Sequence, residues 1–195
     1  MGPRVFRQWS FLLAAGFWII AVSPGAAASL VLSERERGEA LQFGRRSVIT
    51  EGFGNEWRVQ GPAGQSLVVM TPFHRLALAA RNTTFKNEPL TPKEIESLLK
   101  EHSGKLTFWT TLRGGKPDFA RFLAPALLDG RVEIKPTFVQ NELTALPEDD
   151  GRYAARCVYV FPADRLNPGG RVTLVVRDPS EKEVARFQVD LSTMR

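Results

Sequence analysis

Two histidines, one cysteine and one acidic run are the residues of this chain whose types suit catalysis or metal binding. His74 lies in Pro72-Phe-His-Arg75 and His102 in Lys100-Glu-His-Ser-Gly104. Neither has a second ligand at a spacing such as H-x-x-x-H, so no metal site is expected from them. A hydrolase with a dispersed site would use His74 with an acid, but the sequence has no G-x-S-x-G elbow for a serine nucleophile. Glu148-Asp149-Asp150 gathers carboxylates as a hard cation needs, without the D-x-D-x-D-G pattern or a distal bidentate Glu. A solvated loop is expected there, with calcium-dependent binding as the alternative. Gly114-Gly115-Lys116 lacks the spacing and the following Ser or Thr of a phosphate loop and reads as a tight turn. Asn82-Thr83-Thr84 matches the glycosylation sequon. These groupings point to no cofactor, no metal and no catalytic set.

One surface has a binding chemistry. Along 105–113 the residues alternate, with Leu106, Phe108 and Leu112 on one side and Lys105, Thr107, Trp109, Thr111 and Arg113 on the other. An aromatic platform between hydroxyls, with cations beyond, suits a sugar ring or a partner protein. The competing expectation is that another element covers this face and Trp109 is core. A second candidate is the strand expected over 131–140. Pro136 inside it argues for a sheet edge, open to an added strand or protected from one.

The elements that position these residues follow from local signals. Ser33-Glu-Arg-Glu36 has the form of a capping box and starts a helix over roughly 34–46. Trp57 to Gln60 and Ser66 to Met70 read as a hairpin around Gly61–Gln65. Leu76, Leu78 and Ala80 alternate, so a strand is expected over 75–85 after an interruption at Thr71-Pro72. Thr91-Pro-Lys-Glu94 opens a second helix, ended by Gly104. Residues 118–128 are expected to be partly helical. Strands are expected over 153–161, with Cys157 as a buried thiol, and over 172–177 and 183–191 as a closing hairpin. Many short strands, no βαβ rhythm and one or two short helices predict a mainly β fold, an antiparallel immunoglobulin-like β-sandwich.

The first 28 residues predict export. Arg4 and Arg7 precede a 12-residue apolar run from Phe11 to Val22, too short for a membrane span of about 20 residues. Ser23-Pro-Gly-Ala-Ala-Ala28 supplies the small residues a signal peptidase reads, with the cut after Ala28 or Ala27. The remaining 29–195 form one domain in a secreted or periplasmic setting, touching the membrane only through the leader. Without Arg4 and Arg7 the 26 basic residues, set against 21 acidic ones, leave a net charge of +3. That excess is scattered, and no nucleic-acid partner is expected. A single cysteine permits no internal disulfide, so the fold rests on its core. The expected function is a non-enzymatic binding or accessory module for an extracytoplasmic protein or a cell-envelope glycan.

Overall fold

The computed structural model describes residues 30–195, so the leader expected over 1–28 lies outside the described residues. Three threonine or serine caps set the helices. The Ser33 hydroxyl accepts from the Glu36 amide while the Glu36 carboxylate accepts from Ser33 N at 2.7 Å, which opens α1 (Glu34–Arg46) as its capping box predicts. Thr91 and Glu94 do the same for α3 (Pro92–His102). Thr71 caps the His74 amide at the start of α2 (Pro72–Phe85).

The helix α2 corrects the strand expected over 75–85. Leu76, Ala77 and Ala80, with Phe73, are buried along one helical face, while Arg75 and Leu78 point elsewhere. The alternation was a coincidence of an alanine-rich helix. α1 and α2 cross closely at Gly44, where a Cβ would lie 2.1 Å from the Ala77 carbonyl oxygen.

The strands are β1 (Arg58–Gln60), β2 (Ser66–Met70), β3 (Lys105–Gly114), β4 (Ala124–Asp129), β5 (Val132–Ile134), β6 (Phe138–Gln140), β7 (Leu146–Pro147), β8 (Tyr153–Pro162), β9 (Arg171–Arg177) and β10 (Glu183–Asp190). Every pairing is antiparallel. The first sheet runs β1-β2-β3-β8-β6, with β7 also on β8, and the second runs β10-β9-β4-β5. If β2 is lettered A, these become A-B-E-D and G-F-C-C′, the immunoglobulin arrangement. Here α2 and α3 are inserted between A and B. The fold is therefore an immunoglobulin-like β-sandwich with a helical layer at one end.

Two expected elements changed. Residues 118–128 are turns followed by β4, whose Pro125, Ala126 and Leu127 are all buried, with β9 paired along its whole length and β5 from Leu127 onward. A run apolar on both faces matches a strand whose two faces are covered, and helix propensity yields to that packing. The strand expected over 131–140 is two strands of three residues. β5 closes one edge of the second sheet, β6 closes one edge of the first, and Pro136 stands where the chain changes sheets. The edge expected from Pro136 is therefore present twice.

The core is shared by the inward faces of β3, β8, β9 and β10, among them Phe108, Tyr159, Phe161, Leu174 and Phe187, all essentially inaccessible. Cys157 is buried on β8, the E strand, and B and F carry apolar residues inward where antibody domains carry their disulfide. The buried tryptophan is also displaced. Trp57 sits ahead of β1 among Phe43, Phe73 and His74, and its indole donates to the Arg195 carbonyl at 2.8 Å. Thr71 Oγ1 donates to the same oxygen at 2.6 Å, and the Arg195 guanidinium grips Glu56 at 3.0 and 2.6 Å.

Candidate binding face

The outward side of the first sheet is defined by strand register. Arg58, Val68, Trp109, Val158 and Gln140 form one cross-strand row over five strands. Met70, Thr107, Val160 and Phe138 form the next, and Ser66, Thr111 and Arg156 the one after. Side chains so paired lie close enough to make one continuous surface.

That surface is apolar at its centre. Trp109 is 42% exposed and Phe138 50% exposed, with Val68, Val158 and Val160 half-buried beside them. Of the five residues expected to form the surface, the structure keeps Trp109, Lys105, Thr111 and Arg113 on it. Thr107 is buried, as is its neighbour Met70, at the end where α2 begins directly after β2. The helical layer thus overlies part of the face and stops beside Trp109.

Arg75 of α2 marks that boundary. Its Cζ lies 5.3 Å from the Trp109 ring centroid, so the guanidinium occupies one face of the indole. Its Nε is buried without a hydrogen bond among the described residues. His102 and Lys105 lie nearby, and Lys105 Nζ donates to the Glu101 carbonyl at 3.0 Å. Burial and the charges of Arg75 and Lys105 hold His102 below its ordinary pKa, opposed by Glu101. The imidazole is thus held toward its neutral form, not as the cation that the end of α3 would favour.

Other sequence candidates resolve locally. Arg113 grips Glu148 through Nε at 2.5 Å and Nη2 at 2.7 Å, and Arg152 grips Asp150 through Nε at 2.7 Å. These pairs hold both carboxylates below their usual range. Glu148 and Asp150 are therefore committed to arginines, and among the described residues no group of three His, Cys, Asp or Glu side chains is placed to hold a metal. His74 Nδ1 lies 2.9 Å from the Val69 carbonyl oxygen, and its ring stacks on Trp57 at 4.1 Å and 5°. The nearby Glu56 carboxylate is engaged by Arg195. Among the described residues, neither contact joins the His74 ring to a carboxylate. Gly114 lies under the Phe119 ring, where a Cβ would come within 2.2 Å, which explains the glycine without any phosphate. Asn82 is exposed on α2, and the hydroxyls of Thr83 and Thr84 donate to the Ala80 carbonyl oxygen.

The residues that sequence reasoning did not single out are Arg75, Val68, Val158, Val160 and Phe138. Alternation in 153–161 carried the signal for Val158 and Val160, since they face the side opposite Cys157. Arg75 needed the helix.

The fold and this face together describe an immunoglobulin-like domain whose first sheet presents a partly uncovered apolar surface. No protein-family model matches the sequence, and no curated protein matches it. Among solved structures it is similar to a novel protein of unknown function from Burkholderia pseudomallei, at 10% identity over 84% of this chain and 92% of that one, with a TM-score of 0.41. The IgNAR antibody domains C1 and C3 are similar at 9% and 19% identity, over 52% and 68% of this chain and 83% and 98% of theirs, each with a TM-score of 0.32. Strand order, not these distant likenesses, defines the fold.

Proposed function

We propose that the domain is an exported, non-enzymatic module that docks another extracytoplasmic protein through the outer face of its first sheet. The observation that supports this most is the apolar stripe through Val68, Trp109, Val158, Val160 and Phe138, rimmed by Arg58, Lys105 and Arg156. Apolar patches with polar rims mark interaction sites, and Trp and Arg are the residue types that dominate them. A glycan fits less well. One face of Trp109 already holds Arg75, Thr107 is buried, and the valines offer nothing to sugar hydroxyls.

A photoreactive side chain placed at Phe138 is expected to cross-link a partner in the extracytoplasmic fraction, and one at Val132 on the second sheet is not. Trp109→Ala should abolish that cross-link while the melting temperature moves by only a few degrees, since the ring is already half in water. An unchanged cross-link in the folded variant would remove this face as the docking site. Export is tested by intact mass, with the released chain expected to begin at Ser29 or Ala28. A chain retained at full length inside the cell defeats that part of the reading.

A further inference from the structure

We propose that Arg75 anchors this face by receiving a carboxylate from an acidic segment of the partner protein, whose neighbouring apolar side chain covers Trp109. The proposal rests on the docking face above and adds the partner's chemistry. Arg75, Arg58 and Arg156 lie on or over the face and make no ion pair among the described residues, whereas Arg113 and Arg152 at the far end of the sheet hold Glu148 and Asp150. Three guanidinium groups without an ion pair thus lie on or beside the apolar centre. Arg75 is also the most prepared of them. Its stem is carried by a helix, its planar head is steadied on the indole, and its buried Nε lacks an acceptor. A guanidinium with no ion pair leaves its reachable N–H donors to an incoming acceptor, and a carboxylate matches that planar fork better than any other group.

The facing groups are consistent with this. Lys105 adds positive potential, and among the described residues Glu101 is the acid whose charge acts on Arg75, without forming an ion pair. The valines and Phe138 call for apolar side chains next to the acid, which favours an acidic protein segment over an anionic polysaccharide.

Three probes separate the possibilities on the full domain: a capped pentapeptide alternating glutamate with valine and phenylalanine, the same peptide with glutamines, and a galacturonate hexamer. The acidic peptide should shift the Trp109 indole N–H and Arg75 Nε–H resonances saturably, and the glutamine peptide should bind about tenfold more weakly or worse. Arg75→Gln should erase that discrimination, and Arg75→Lys should restore only part of it, because a point charge replaces a planar fork. Arg75→Met keeps the stem on the indole and serves if the glutamine variant does not fold. Equal binding of the two peptides, discrimination that survives loss of Arg75, tighter binding of the galacturonate hexamer at the same resonances, or no shift with any probe would each overturn the proposal. A Trp109-dependent cross-link from Phe138 without peptide discrimination would leave the docking face standing and discard only the carboxylate anchor. Loss of the cross-link claim removes the docking face itself.

Discussion

At the scale of single residues, His74 shows how burial biases a histidine toward its neutral form. Its ring is stacked on Trp57 and bonded to the Val69 carbonyl, and burial holds its pKa below the ordinary value, with the carbonyl bond and Glu56 opposing in part. A histidine whose folded pKa is depressed binds fewer protons folded than unfolded, so stability falls as pH drops below its unfolded value of about 6.5. His102 is shifted the same way. Urea unfolding at pH 7 and pH 5 should show weaker stability at the lower pH, and His74→Gln should flatten that slope more than His102→Gln. A slope unaltered by His74→Gln would mean that other groups set the acid response. Cys157 belongs to the same scale. Burial pushes its thiol up and closes it off, so a thiol reagent should label it only under unfolding conditions. Labelling of the native chain within minutes would show that β8 opens.

At the scale of elements, the crossing of α1 and α2 depends on one missing side chain. Gly44→Ala would drive a Cβ to 2.1 Å from the Ala77 carbonyl oxygen, and separating the helices should cost about 2 kcal/mol or more by chemical denaturation. A neutral result would show that the helices slide freely. Pro136 acts at an edge. Pro136→Val should extend the strand-forming run across the sheet change and increase self-association at high concentration, measured by light scattering.

The elements also show what could be read from sequence. Capping boxes at Ser33 and Thr91 were decisive because each supplies two reciprocal bonds visible as residue types three apart. Thr71-Pro72 repeats the Thr-Pro opening of α3, yet His74 stands where a Glu would complete the box, so the helix signal was half present and the alternation of 76–80 outweighed it. The split of 131–140 was not legible. Both halves are three residues long and nothing local distinguishes which sheet each will join.

At the scale of the whole molecule, mainly β class and sandwich architecture were legible from turn spacing and alternation, as was α3, while α2, the first of the two helices between A and B, was not. That loss carried into the candidate site. Trp109, Lys105 and Arg113 follow from one strand's alternation, but Arg75 reaches the face through a helix whose docking is tertiary, and Thr107 is lost from it for the same reason.

Arg195 has a consequence for the order in which the domain matures. Its carbonyl oxygen takes the Trp57 indole across 138 positions and Thr71 across 124, and its side chain closes on Glu56. The helical end therefore lacks its closing contacts until the chain through residue 195 has been synthesised. The indole N–H and the Thr71 hydroxyl of a growing chain lack this shared acceptor for most of its synthesis, and any factor that holds chains open before folding has that whole interval in which to act. Truncation after Asp190 should leave Trp57 emission red-shifted in a domain that retains its β signal, and a native-like emission would show that the helical end closes without those residues.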